Sequence, residues 1–504
     1  MPRGKAIMVQ GTGSHVGKSV LTTAFCRIFR QEGYRVAPFK AQNMSNNAAV
    51  CLCGGEIGRA QAEQAAACDV EPTTAMNPIL LKPCTDVGCQ VIVMGRATGT
   101  MTAKQYQAHK LSLVPTVRRA IDSLLDSYDL VVIEGAGSPA EINLKDHDIV
   151  NMRTAALADA PVILVGDIDR GGVFAQLVGT FDLLDPAERA RVRAFIINKF
   201  RGDLDILTPG LRFLEERLGR PVLGVIPWLR SLRVAEEDSL PLPSESNPRL
   251  GRSNAPRPNN GLRIDVIRHP RIANFTDFES LGDAVNYVSE PPAELPDAII
   301  LPGTKSTVAD LAELRRRGFE PWLLRARQAG VEIVGICGGF QMLGSAILDP
   351  NHVESSESQV PGLNFLGGAT VFQPHKETAR VGAVHVASGA EIEAYEIHMG
   401  CTQGNPGPAP LFRITRRHGM PAEGYDGMAS ADGRVWGTYL HGLFDGEAFR
   451  GWWLGQLRRR GDGADAQSHE CAAPVPPETN RFDALARAVR NSIDVAALHR
   501  IVWD

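Results

Sequence analysis

Gly11-Thr12-Gly13-Ser14-His15-Val16-Gly17-Lys18-Ser19 follows a short apolar run, Ala6 to Val9. It leads into a segment with apolar residues at helical spacing: Val20, Leu21, Ala24, Phe25, Ile28 and Phe29. The order is strand, glycine-rich loop, helix. Three loop glycines let backbone N–H groups approach phosphate oxygens, and the helix N-terminus adds a favourable dipole. Lys18 is placed to reach the terminal phosphates of a nucleotide, and the Ser19 hydroxyl to sit on Mg²⁺. The spacing departs from the strict phosphate-loop form. Five residues, not four, separate Gly11 from Gly17, and Thr12 stands where the strict motif has its first Gly.

The rest of the first half supports that reading. Val36 to Phe39 reads as a strand with Lys40 at its end, where open α/β sheets build their sites. The run Ala41-Gln42-Asn43-Met44-Ser45-Asn46-Asn47-Ala48 is dense in amide donors and acceptors and reads as a ligand-contacting loop. A helix is expected over 58–68 and a strand over 90–94. A second helix, over 104–125, should bend or restart at Pro115. Leu130 to Ile133 is a buried strand ending in Glu134, whose carboxylate is placed to hold a hard cation opposite a phosphate. Strands at 161–165, 194–197 and 222–226 alternate with helices at 172–181 and 208–218, which implies a doubly wound parallel sheet. Asn198-Lys199 ends one of these strands, where Asn198 is a candidate contact for a purine base.

Bulk properties narrow the class. The chain has 504 residues, 44% hydrophobic and 22% charged, long enough for about two to four domains. A net charge of −4 gives no basic field for nucleic acid or anionic membrane. No apolar run approaches a membrane span, and the N-terminus passes straight into a strand without a signal-peptide pattern. The nine cysteines lack zinc-like pairing, which fits small buried thiols in a reducing cytoplasm. The domains expected are 1–230, a phosphate-loop unit; 231–260, a Pro-, Ser- and Asn-rich linker; 261–460, a second α/β unit; and 461–504, a polar linker with a helical tail that packs rather than reacts.

The second unit carries its own landmark. Strands are expected at 263–268, 298–301 and 331–336, with a helix at 308–316. Cys337 follows the last strand directly, then Gly338-Gly339, then a helix over 340–347. This is a nucleophile elbow with Cys in place of Ser. The N–H of Gly338, with a backbone N–H near Gly303, is placed to stabilise an oxyanion, and the helix N-terminus would lower the thiol pKa. A base is needed. His441, at a strand end before Gly442, is the first candidate, and His398 is its rival.

Two chemistries on one chain suggest a coupled reaction. GTGSHVGKS, FKAQNMSNNA, EGAGS, INKFRGD, LPGTKST, GICGGFQMLG, YEIHMG and GTYLHGLF together resemble the adenosylcobyric acid synthase family of glutamine-hydrolysing amidases in cobalamin biosynthesis. The first half is similar to the dethiobiotin synthase group of loop ATPases, and the second resembles class I glutamine amidotransferase domains. The resemblance implies two α/β domains and three substrates: a corrinoid, glutamine and ATP with Mg²⁺. It implies no bound organic cofactor, no nucleic acid and no membrane, and leaves the oligomer unspecified. Cys337, activated by His441, would release ammonia from glutamine. ATP held by Gly11, Thr12, Gly13, Ser14, His15, Val16, Gly17, Lys18, Ser19, Lys40 and Asn198 would phosphorylate a corrinoid carboxylate. Ammonia would then displace the phosphate. Ser19 and Glu134 would hold the metal, and Gln42, Asn43, Ser45 and Asn46 would contact the substrate. The family's reaction repeats at the b, d, e and g carboxylates of adenosylcobyrinic acid a,c-diamide. Class I amidotransferases usually carry His-Pro-Glu, whereas here the sequence is His441-Gly442-Leu443, so the group that orients His441 is open. The loop also places Gly13 and His15 where dethiobiotin synthases place acids. The nearest alternative is the related cobyrinic acid a,c-diamide synthase, against which the AQNMSNN run argues. A partitioning-type ATPase switch is another, but it would leave the Cys elbow unexplained.

Overall fold

The computed structural model describes residues 3–84, 88–229, 261–404, 410–461 and 481–504. The chain forms two compact units. The first takes the described residues of Met1–Ser45, Glu56–Glu237 and Pro474–Asp504, and the second those of Asn46–Gly55 and Asp238–Ala473. The expected linker at 231–260 and most of the polar stretch before the tail lie outside the described residues.

The first unit is built on six parallel strands. Their spatial order is Val222–Pro227, Val192–Phe200, Val162–Asp167, Lys5–Gly11, Leu130–Glu134, Val36–Phe39. Lys5–Gly11 is interior to the sheet, and side chains alternate between its faces. Ile7 and Val9 enter the core under the helix Lys18–Gln31, and Ala6 and Met8 the core on the other face. Burial on both faces explains why these strands read as continuous apolar runs. The register sets Val9 opposite Glu134, so the glycine loop and the Glu134 carboxylate emerge together at the carboxyl edge.

The sequence reading and the structure differ in places. The Gln42 run is not simply a loop. Gln42–Met44 is a strand pairing in parallel with Ile79–Pro83 in a four-stranded sheet completed by Gly88–Val93 and Arg96–Thr102. Its amide-rich composition hid it, because β preference reflects packing surroundings more than residue type. The helix expected over 104–125 is two, Ala103–Lys110 and Val114–Ser127, joined by a 3₁₀ turn at Leu111–Leu113. Pro115 sits in the first turn of the second, where its missing N–H has no intrahelical partner to lose. The helix expected from residue 208 begins at Leu204, capped by the Asp203 carboxylate accepting from Asp205 N.

The second unit also has six strands, in the order Val285–Val288, Ile264–Ile267, Ala298–Leu301, Glu332–Ile336, Val435–Thr438, Met428–Ala429. All pair in parallel except the last two. Beyond the expected doubly wound pattern lies an antiparallel sheet. It contains Ala369–His385, Glu391–Gln403, Phe412–Arg417 and Met420–Asp426. The helix after Cys337 covers Gly338–Leu343, not 340–347, and Ala346–Leu348 is a strand. Gly339 has a steric reason: a Cβ there would lie 1.9 Å from the Leu301 carbonyl oxygen. Among the described residues no helix is long and apolar enough to cross a membrane.

The tail helices Arg481–Arg490 and Val495–Trp503 return to the first unit. Phe482, Leu485, Val489, Leu498 and Val502 join Phe25, Ile28 and Phe29 in one core. A Cβ on Gly224 would stand 2.0 Å from the Ser492 carbonyl oxygen. Gly224→Val should therefore push the tail off the sheet and lower the stability of the first unit by about 1–3 kcal/mol, read as an earlier denaturant midpoint and faster proteolysis between the tail helices.

Candidate active sites

In the first unit the glycine loop closes on its own lysine. Gly17 takes a left-handed φ of 98° as the helix begins, and a Cβ there would meet Asn198 Nδ2 at 2.1 Å. Asn198 Nδ2 donates to the Val16 carbonyl at 2.8 Å, which ties the end of strand Val192–Phe200 to the loop. Lys18 Nζ donates to the Gly13 carbonyl (2.8 Å) and the Gly137 carbonyl (3.2 Å). Thr12 donates through Oγ1 to Gln176 Oε1. Ser14 and His15 are exposed. The His15 carbonyl accepts from Lys199 Nζ, which also pairs with Asp167 at 2.9 Å. A Cβ on Gly11 would strike Val16 Cγ2 at 2.4 Å.

The Glu134 carboxylate is fully buried and three side chains satisfy it. Ser19 Oγ donates to Oε1 at 2.9 Å, Lys40 Nζ to the same oxygen at 3.0 Å, and Gln64 Nε2 to Oε2 at 2.5 Å. Lys40 is equally closed to water. Gln64, on the helix Arg59–Ala67, was not foreseen; its only sequence signal is that it lies in an Ala- and Gln-rich helix. A hydroxyl and a carboxylate are hard oxygen donors that suit Mg²⁺, which takes its remaining ligands from phosphates and water. Among the described residues no group of three or more His, Cys, Asp or Glu stands together for a metal, so these two would be the protein's share. Nearby, Gln42 Oε1 accepts from Tyr106, Asn43 Nδ2 donates to Gln61 Oε1, and Ser45 N donates to the Leu81 carbonyl. Asn46 falls in the second unit.

In the second unit Cys337 adopts φ 52° and ψ −109° between strand and helix, the sharp turn that exposes an elbow nucleophile. Its Sγ lies 3.5 Å from the Ile397 carbonyl oxygen. A Cβ built on Gly303 would lie 3.1 Å from His441 Cε1 and 3.8 Å from Cys337 Cβ, and one on Gly338 would lie 3.1 Å from Thr304 N. The Gly303–Thr304 backbone thus borders both the thiol and the imidazole.

His441 Nδ1 contacts Asp277 Oδ2 at 2.6 Å. Asp277 Oδ1 accepts from Gly442 N and from Tyr395 Oη, both at 3.2 Å. Tyr395 also stacks on the His441 ring, 5.1 Å between centroids, and the two backbones exchange hydrogen bonds. Burial alone would push the His441 pKa down. The Asp277 charge and hydrogen bond, with a hydrogen bond to Cys337, outweigh it and raise the value to about 10. His398 differs. Its Nδ1 meets the Gly400 carbonyl at 2.7 Å, its ring stacks on Tyr439, and burial lowers its pKa to about 4. Asp277 is not legible in the sequence because it lies 164 positions from His441, in the 3₁₀ segment Phe275–Ala284.

Comparison with known proteins supplies the family. Residues 7–242 match the CobQ/CobB/MinD/ParA nucleotide binding domain, and residues 263–449 the CobB/CobQ-like glutamine amidotransferase domain. The chain is similar to proteins named cobyric acid synthase. That of Desulforamulus reducens is 47% identical, with 100% of this chain and 99% of the relative covered. That of Sorangium cellulosum is 50% identical with 98% of each covered, and that of Dehalococcoides mccartyi 46% identical with 99% of each.

The His441–Asp277 contact makes a pH prediction. A histidine whose folded pKa is raised contributes stability that is fully present below about pH 6.5 and is lost as pH rises through about 10. Asp277→Asn removes the charge and leaves burial dominant. The His441 ring titration, followed by NMR, should then fall from about 10 to below the ordinary histidine range, and the stability gap between variant and parent should close as pH rises toward 10.

Proposed function

The chain belongs to the cobyric acid synthase family, and from that premise we propose how its residues divide one reaction. It is a ligase that uses ATP and hydrolyses glutamine to form amides in cobyric acid synthesis. The observation that carries the residue-level reading is the buried run of contacts from Cys337 through His441 to Asp277.

Cys337, as thiolate, attacks the carboxamide carbon of glutamine. The oxyanion is met by the N–H groups of Gly338 and of the Gly303 loop. His441 gives its proton to the departing nitrogen, and a glutamyl thioester and ammonia result. Water, activated by the now neutral His441, cleaves the thioester to glutamate and restores the thiol. Asp277 does not touch the substrate. It is a positioning residue that holds the imidazole by Nδ1, the task of the Glu that this sequence lacks after His441. In the first unit a corrinoid carboxylate attacks the terminal phosphorus of ATP, forming an acyl phosphate and releasing ADP. Ammonia then displaces phosphate at the acyl carbon. The cycle serves the b, d, e and g carboxylates of adenosylcobyrinic acid a,c-diamide.

Lys18 and Lys40 balance charge on the transferring phosphoryl group, and Asn198 contacts the adenine. Mg²⁺, held by Ser19 and Glu134, would supply charge neutralisation between the terminal phosphates. Gln42, Asn43, Ser45 and Asn46 contact the corrinoid. In support, Asn43 Oδ1 and Asn46 Oδ1 are buried without a hydrogen-bond partner among the described residues, and a buried acceptor without a partner calls for a donor from a ligand. The reaction belongs in the cytoplasm.

Mass spectrometry of the corrinoid tests the assignment. With Mg-ATP and glutamine, adenosylcobyrinic acid a,c-diamide should gain four amides stepwise; amidation of cobyrinic acid instead would point to the earlier enzyme. Cys337→Ala should lower glutamine-driven synthesis by about a thousandfold or more and leave ammonium-driven synthesis intact. Lys18→Ala should remove synthesis from either nitrogen source.

A further inference from the structure

The segment Asn46–Gly55 belongs to the second unit, although the chain on both sides of it belongs to the first. It is anchored by backbone and side chain. Thr378 Oγ1 donates to the Gly54 carbonyl at 2.7 Å, and a Cβ on Gly54 would meet His418 Cε1 at 2.9 Å. At its start the Ala48 N–H donates to Asn274 Oδ1 at 3.0 Å. The other end of the same amide, Asn274 Nδ2, lies 3.4 Å from His441 Nε2. Asn274 sits in the left-handed region at φ 53°, which an asparagine tolerates better than most residues.

The orientation of this amide is not arbitrary. A backbone N–H can only donate, so the atom facing Ala48 must be the oxygen. That leaves the NH₂ group turned to His441 Nε2. Around the ring, Asp277 lies at Nδ1, Cys337 is hydrogen-bonded to the imidazole, Tyr395 covers the face and His398 stands nearby. Asp277 and Cys337 favour a ring protonated on both nitrogens. An amide NH₂ at Nε2 opposes that state, because donor would face donor, and it competes with the thiol for the lone pair.

Resting on the reading of Cys337 and His441 as the glutaminase pair, we propose that Asn274 is a positioning residue that restrains His441 at Nε2, with its amide held in the restraining orientation by the N–H of Ala48. The segment Asn46–Gly55 is then the part of the N-terminal sequence that sets the readiness of the thiol. When the Ala48 contact is lost, the amide can turn, present its oxygen to the imidazolium and stabilise the thiolate.

Two variants separate the steps. Asn274→Asp keeps the shape and the acceptor for Ala48 but replaces the NH₂ by an oxygen at Nε2. Ala48→Pro removes the N–H, and it also fixes φ at the first residue of the strand Ala48–Val50. The readout is alkylation of Cys337 by iodoacetamide in the nucleotide-free full-length protein, followed on the peptide containing Cys337, together with glutamine hydrolysis without corrinoid. A thermal unfolding midpoint and a near-UV circular dichroism spectrum matching the parent serve as the fold control. Asn274→Asp should raise both rates about tenfold with little change in KM for glutamine, and Ala48→Pro should raise them in the same direction. Unchanged rates in a variant that passes the fold control overturn the proposal. Loss of hydrolysis in Asn274→Asp also overturns it, because Asn274 would then be a donor to the reacting oxygen. Cys337→Ala tells the two readings apart. If it still hydrolyses glutamine, the pair itself is misassigned; if it is inactive while the Asn274 and Ala48 variants match the parent, only the restraint is wrong.

Discussion

A carboxylate shut away from water must be met on every side, and each unit of this protein arranges its chemistry around one. In the first unit it is Glu134, which accepts from Ser19, Lys40 and Gln64. In the second it is Asp277, which contacts His441 and accepts from the Gly442 N–H and the Tyr395 hydroxyl. Removing one partner of such a buried charge typically costs about 3–5 kcal/mol, because the remaining charge keeps its desolvation penalty. That cost fixes geometry. Lys40, Ser19 and Gln64 come from a strand end, a helix start and a second helix, and the carboxylate draws the three into one place. Asp277 likewise draws in a strand-end histidine, the peptide after it and a tyrosine from the antiparallel sheet.

The parts legible in the sequence are those where chemistry and local structure coincide. The loop before Lys18, the Glu134 strand end and the Cys337 elbow each occupy a few consecutive residues, and buried parallel strands announce themselves as apolar runs. The parts that escaped are those that rest on distant pairing. Gln42–Met44 is a strand only because Ile79–Pro83 lies beside it. The sheet around Ala369–His385 has no strong alternation to declare it: that strand carries Gln373 to Glu377 across a register shift. The segment Asn46–Gly55 leaves one unit for the other with no change of composition to mark the crossing.

His398 and His441 make the same point at the level of one side chain. Each lies in a strand or at its end near a glycine, and sequence offers only position to choose between them. Their surroundings differ completely. Burial lowers the His398 pKa against the pull of the Gly400 carbonyl at Nδ1, whereas the Asp277 carboxylate at Nδ1 raises that of His441 against its burial. The orienting acid came from outside the motif that usually carries it. Asn274 immediately precedes the 3₁₀ segment that bears Asp277, so both ring nitrogens of His441 are addressed from one stretch of ten positions between Ile267 and Phe278.

That pairing has a chemical logic. An asparagine side chain has one donor end and one acceptor end, so whatever claims one end dictates what the other presents. Under the restraint proposed above, the Asn274 amide links the Ala48 N–H to His441 through a single side chain. A carboxylate could not do this, since both its ends accept, and neither could a lysine, since it only donates. A thiolate free to consume glutamine without an acceptor would waste the nitrogen it liberates. The proposed restraint on the base, by a residue tied to Ala48, would spare glutamine from that waste.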